Sequence, residues 1–243
     1  MFNLPDELDF EDDEPTRIKI ISVGIFGDAY LQKIQPLNLD GVETLSIISD
    51  KSFDEVEDFL RESDVVLVLA KVGDKLAKKV SEHIRSLDLP ITLGVVDSQY
   101  DDDFAKNFDA FIVARPNEAA EQIASFVNLL KNDGLVPISF VDFQTIFAGL
   151  EKKNMLVAIG EGPNANAAAK KVIESIDYED QISESTGVAF QICGASDRIS
   201  MIEIGEVSTN IADASNDAEI VWGAQVNNGL GDTIYVTILA VGF

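Results

Sequence analysis

The sequence predicts an α/β protein in two parts: a parallel sheet covered by helices on both faces, then a smaller α+β domain. Three observations predict it. Short β-branched runs alternate with amphipathic helical patterns through the first half. Those runs are apolar on both faces, as strands of a covered parallel sheet are. After about residue 134 the rhythm of the chain changes.

Regular structure is expected from Arg17 onward. Ile18 to Val23 is β-branched and bounded by Gly24, which makes it the first strand. Further strands are expected over Thr44–Ile48, Val65–Leu69, Ile91–Val96 and Ala110–Val113. Between them, Phe53, Val56 and Leu60 share one helical face. Leu76, Val80, Ile84 and Leu87 share another, with Asp74 as N-cap. A long helix is expected from Asn117 to about Lys131 on the stripe Ile123, Phe126, Val127 and Leu130, with Gly134 stopping it. A short helix over Val141–Leu150, a strand over Met155–Gly160, a helix over Asn164–Ser175 and a strand over Val188–Cys193 come next. Ser200 followed by Glu203 forms a capping box for one more helix. The last two strands, Glu219–Val226 and Thr233–Val241, are separated by a short Asn/Gly-rich link and are expected to form an antiparallel hairpin. The predicted division is residues 1–16 as an acidic flexible tail, 17–116 as the sheet domain, 117–133 as a central helix and 134–243 as the α+β domain.

Composition limits the function classes. The 243 residues carry 18 Lys plus Arg against 43 Asp plus Glu, a formal charge of −25. That charge repels phosphate backbones and anionic lipid, so no nucleic-acid binding and no direct membrane binding are expected. No apolar run reaches the ~20 residues that span a bilayer, and the opening residues do not read as a signal peptide. One Cys and one His exclude a disulfide framework and make a His-based triad or metal cluster improbable; no metal site is expected. A cytoplasmic location fits this cysteine usage. The acidic run Asp6–Glu14 reads as a solvated tail or as an arm for a basic partner, and Asp101–Asp103 as a solvated loop or a cation contact.

Three blocks in the second half carry a family resemblance. They are Val141-Asp142-Phe143-Gln144-Thr145-Ile146-Phe147-Ala148-Gly149-Leu150, then Ala158-Ile159-Gly160-Glu161-Gly162-Pro163-Asn164 leading into an Ala-rich helix, then Ile220-Val221-Trp222-Gly223-Ala224 with Leu230-Gly231-Asp232 and Val236 to Phe243. In this order and spacing they resemble the FtsZ/tubulin family, in a shortened and degenerate form. The resemblance runs from about Asn117 to Phe243 and extends weakly over Ile18–Pro116. It implies a Rossmann-like first domain that binds GTP, an FtsZ-like second domain, and head-to-tail polymers in which one subunit's catalytic loop completes its neighbour's site. It also implies that the chain stops where the family core ends, without a tail peptide for membrane-anchor proteins.

The residues that such chemistry requires are only partly present. Phosphate binding needs glycines that let backbone N–H groups approach the oxygens. The first loop keeps Gly24 and Gly27 but places Ile25 and Phe26 between them, and reads as a tight turn or a phosphate contact. The second loop keeps Gly73 alone, between Lys71 and Lys75. Asp74 as N-cap, and Asp28 in the same role on the first helix, would put negative charge at both would-be phosphate sites. Lys71 and Lys75, with Lys78 and Lys79, read as a solvated helix face or as a basic interaction patch. In the segment matching the catalytic loop, Pro137 replaces the family's Asn and Ser139 its first Asp; only Asp142 matches, and Asp142 also reads as a helix N-cap. Asn117 lies near the family's base-contacting acid, with N-cap as its plainer role. No catalytic residues are therefore expected, and no cofactor, although GTP or GDP at Gly24, Gly27, Lys71, Gly73 and Asn117 stays open. The expected function is that of an FtsZ-like cytoskeletal or cell-division-related protein without GTPase activity. It would act as a homo-oligomer or on an FtsZ-like filament. The alternative is a divergent GTPase with weak GTP binding and polymer-dependent hydrolysis. A third reading is a binder of another small ligand in the same crevice. Cys193 reads as a buried small hydrophobe in a strand, Trp222 as a strand residue of the core or of a domain contact, and His83 as a helix residue at the surface or its boundary.

Overall fold

The computed structural model describes residues 15–49, 53–97, 102–114, 116–130, 134–176 and 181–243. The acidic run Asp6–Glu14, Asp101, and the predicted helix end at Lys131 lie outside these residues. In chain order the elements are β1 (Ile18–Val23), α1 (Gly24–Ile34), β2 (Val42–Ile47), α2 (Phe53–Leu60), β3 (Val65–Ala70), α3 (Lys75–Ser86), β4 (Ile91–Val96), α4 (Asp102–Ala105), β5 (Ala110–Val113) and α5 (Pro116–Leu129). The second half adds α6 (Phe140–Thr145), β6 (Met155–Gly162), α7 (Ala165–Ile176), β7 (Gly187–Gly194), α8 (Met201–Ser215), β8 (Glu219–Val226) and β9 (Ile234–Val241).

The first five strands make a parallel sheet in the order β2-β1-β3-β4-β5. Every residue of β3 and β4 is buried, which explains their unbroken apolar runs. One face packs on α1 and α5 through Ile20, Leu67, Leu93 and Ile112. The other packs on α2 and α3 through Ile21, Val66 and Val68. Alternate residues of one strand thus enter two different cores.

The second sheet corrects the sequence reading. Its order is β6-β9-β7-β8, with β9 antiparallel to both β6 and β7, and β8 parallel to β7. The last two strands are therefore not a hairpin. The link after β8 includes a 3₁₀ turn at Asn228–Leu230, and β9 then returns two strands away, between β6 and β7. The reason is burial. Residues of β9 from Ile238 to Val241 are all buried, and only a central position covers both faces. β8 instead stays at the edge, where Val136 and Ala224 exchange both backbone hydrogen bonds.

α5 serves both sheets. Ile123, Phe126 and Val127 share one cluster with Ile20 and Ile112 of the first sheet and with Val157, Ala189 and Leu239 of the second. Phe143 of α6 packs edge-on against Phe126, with ring centres 5.9 Å apart, and tilted against Phe147 at 5.2 Å. The two sheets touch directly at one parallel bridge, Phe111–Asn154. Among the described residues no helix is long and apolar enough to cross a membrane.

Phe143 is fully buried where these parts meet. Phe143→Ala is expected to cost about 3–5 kcal/mol, read as a lower midpoint in urea unfolding.

Candidate functional site

In an open parallel sheet, ligands bind beyond the carboxyl ends of the strands, where the strand order reverses. Here that point lies between β1 and β3, and the candidate residues Gly24, Gly27, Lys71 and Gly73 converge on it. Gly24 has φ +68° and Gly73 φ +82°, conformations that a side chain disfavours. A Cβ on Gly24 would stand 3.7 Å from Asp74 Oδ2, which places the two loops side by side. The Lys71 ammonium lies 6.0 Å from the Phe26 ring centre, across the same gap. Ile25 is 89% exposed and Ile48, just beyond β2, 63%.

Gly27 has a packing role. A Cβ there would run into the Leu69 carbonyl and the Ser22 backbone, so this glycine lets α1 lie close on β1 and β3. Asp28 is not an N-cap. α1 begins directly at Gly24 after an extended Val23, with no side-chain cap. The Asp28 carboxylate instead accepts hydrogen bonds from the Ser22 hydroxyl at 2.7 Å and the Ser46 hydroxyl at 2.5 Å. It thereby ties α1 to β1 and β2.

Three amides at this end of the sheet are occupied from within the chain. Asp74 Oδ1 accepts from the N–H groups of Leu76 at 2.7 Å and Ala77 at 3.1 Å, as the N-cap of α3. Asp97, just after β4, accepts from the Val72 N–H at 3.1 Å. The sequence reading missed Asp97; its position right after a buried strand was the available signal. Asp28, Asp74 and Asp97 thus ring the switch point. Tyr30 lies beneath, its buried phenol donating to the Ala114 carbonyl at 2.6 Å. Burial, with the nearby Asp97 and Glu118 carboxylates, pushes its ionisation well above the ordinary range.

Asn117 is exposed in the first turn of α5, one residue after Pro116, and so is inside the helix rather than its cap. The remaining candidates sit elsewhere. Ser139, not Asp142, caps α6: its hydroxyl accepts from the Asp142 N–H at 3.1 Å. Asp142 stands three residues on and lines a cleft of about 280 Å³ with Thr145, Glu219 and Trp222. Because Phe143 packs on Phe126, about 15 Å along α5 from Pro116, this cleft and the crevice lie toward opposite ends of α5. Exposed Leu135 and Val141 flank it. Cys193 and Trp222 are half-buried, and His83 Nε2 lies 3.2 Å from Glu57. Lys78 pairs with Glu82 and Asp103. Among the described residues no group of three or more His, Cys, Asp or Glu is arranged to hold a metal ion.

Comparison with known proteins agrees with this architecture. Residues 154–243 match the family model for the FtsZ family, C-terminal domain. Among solved structures the chain is similar to an empty FtsZ dimer from M. jannaschii, with a TM-score of 0.74 and 17% identity over 93% of this chain and 88% of that one. It is also similar to a CetZ from Methanosaeta thermophila (TM-score 0.70, 12% identity, 94% and 87% covered). A third match is CetZ2 from Haloferax volcanii in a GTPγS-bound protofilament (TM-score 0.67, 12% identity, 93% of each chain). At these identities the structural likeness establishes the fold. The protein has an FtsZ/tubulin-like core fold, with residues 154–243 similar to the FtsZ C-terminal domain.

Two outcomes are expected. Asp74→Ala loses the cap of α3 and should cost about 1 kcal/mol, whereas Gly27→Ala should cost more, because backbone must move to admit the methyl group; urea unfolding of both variants checks the order. In an alkaline absorbance titration, one of the four tyrosines should resist ionisation until the protein unfolds. Since the folded protein keeps the Tyr30 proton longer than the unfolded chain does, stability is expected to fall as pH rises above about 10.

Proposed function

We propose that this is an FtsZ-like cytoskeletal or cell-division-related protein that does not hydrolyse GTP and acts by self-assembly or on an FtsZ-like filament. The observation that carries the first part is the filling of the crevice. Phosphate oxygens need free backbone N–H groups and positive potential. Here Asp74 takes the Leu76 and Ala77 amides at the start of α3, Asp97 takes the Val72 amide of the second loop, Asp28 holds the first helix, and Ile25 and Phe26 stand between the two glycines. A triphosphate does not fit three carboxylates. Asp142, without a partner carboxylate on its loop, lacks what phosphoryl transfer uses to position water and metal.

Self-assembly is supported by two unlike surfaces toward opposite ends of α5. One carries exposed Ile25 and Ile48 with Lys71 and Lys75; the other carries exposed Leu135 and Val141 with Asp142 and Glu219. Apolar residues rimmed by charge mark contact surfaces, and unlike faces on one molecule build open chains rather than closed pairs. The M. jannaschii FtsZ structure is a dimer and the H. volcanii CetZ2 structure a protofilament, which accords with this reading. Action on a true FtsZ would use one of the same faces. The divergent-GTPase reading keeps one observation in its favour: Lys71 and Lys75 are both exposed at the mouth of the crevice.

Analytical ultracentrifugation without nucleotide, at tens of micromolar protein, should show association that Ile25→Asp or Val141→Asp reduces at least tenfold. Calorimetry with GTP, GDP and magnesium should show no saturable heat. Saturable heat together with turnover that rises with protein concentration would replace this reading by the GTPase one.

A further inference from the structure

Between the two sheets, beside the edge strand β5, lies a cleft of about 530 Å³. This is within the usual range of about 300–1,000 Å³ for ligand sites. Its walls are Phe111 to Val113 of β5 and Asn154 with Met155 and Leu156 of β6, and Gln122 of α5 closes one side. Gln122 also lines an adjoining groove of about 290 Å³ that runs between α5 and β6 as far as Ile159. The two spaces together follow the outer edge of β6.

That edge is open. β6 pairs with β9 on one side, and β5 with β4. On their facing sides the described residues share the Phe111–Asn154 bridge alone, where the Phe111 N–H donates to the Lys153 carbonyl at 2.8 Å. Main-chain groups alternate in direction along a strand. The Asn154 carbonyl accepts from Gly242 N–H, on the β9 side. The main chain of Leu156 and Ala158 therefore faces β9, and that of Val157 and Ile159 faces outward, without a strand beside it. A row of such groups is a template for another extended chain. A second observation points the same way. Gln122 Oε1 is buried from water and has no hydrogen-bond partner, although it borders both spaces. A buried acceptor of this kind calls for a donor.

We propose that this slot binds an extended, lysine- or arginine-bearing segment of a partner protein, added as a strand along the outer edge of β6. Charge decides the occupant. The molecule carries −25 overall, and Glu118 and Glu121 line the adjoining groove. This chain's own residues 1–14 hold seven acidic residues and no Lys or Arg, so that segment would be repelled. A partner strand would pair its main chain with Val157 and Ile159, donate an N–H to Gln122 Oε1, lay apolar side chains on Val113 and Leu156, and hold cations near Glu121. This assignment is independent of the assembly reading, because it uses neither Ile25 nor Val141.

The test is fluorescence anisotropy of a labelled peptide alternating valine and lysine, six residues long, titrated with the whole chain. The expected result is saturable binding below 1 mM. The same peptide N-methylated at alternate residues keeps its charge but cannot pair as a strand, and should bind at least tenfold more weakly. Gln122→Leu should weaken the unmodified peptide about two- to tenfold. Ile159→Pro removes an outward N–H at an edge position where proline is tolerated, and should also weaken it while urea unfolding stays close to wild type. Equal binding of the methylated peptide would mean attraction by charge alone and would overturn the proposal, as would no saturation by 1 mM or unchanged affinity in both variants. Loss of assembly in Ile25→Asp with peptide binding intact would separate this slot from the end surfaces.

Discussion

The packing of α5 against both sheets is the constraint on which the rest of the molecule depends. Its apolar stripe enters one continuous core with strands from either side, and Phe143 and Phe147 close that core from below. A helix buried on several sides cannot shift without opening both sheets at once, because interiors are packed close to crystal density. The crevice lies near its first turn and the Asp142 cleft toward its other end. The distance between them is set by helix geometry, at about 1.5 Å per residue.

The sheet and the crevice above it are held by different interactions. Burial holds the sheet, α1 and α3 in place, and the loops at their upper ends contribute little to that burial. Substitution there costs little as long as the exposed amides find partners. Asp74 and Asp97 supply those partners from within the chain, and Asp28 turns to two serine hydroxyls. An amide satisfied by a fixed carboxylate is stable without a ligand, whereas an amide awaiting phosphate is exposed to water until the ligand arrives. A carboxylate and a phosphate oxygen cannot both take the same N–H, so the Val72, Leu76 and Ala77 amides are satisfied here without a ligand.

Much of the architecture could be read from the chain. Strand positions in the first half agree with the structure to within about two residues, because β-branched runs buried on both faces leave little choice of element. Asp74 as a cap, Ser200 as a cap and the stripe of α5 were legible for the same local reason: each depends on residues within one or two turns. The candidate glycines were also legible, but their roles were not. Gly24 and Gly27 look alike in sequence, yet one sits at positive φ beside Asp74 and the other admits a helix onto a strand. Asp28 and Asp142 were both read as caps. Neither is one, because a serine or a bare extended residue already stood at the start of the helix.

The sequence by itself determined most of the strands and longer helices and the excess of negative charge. Those properties follow from periodicity and composition, which are local. The tertiary structure alone decided that β9 lies between β6 and β7, that Asp97 after β4 reaches Val72 after the neighbouring β3, and that β5 and β6 face one another across a single bridge. Each of these joins residues distant in sequence, and the free energy that selects them comes from burying β9 on both faces and from satisfying amides at the strand ends. No local pattern records either requirement, since both concern what lies beside a residue in space rather than along the chain.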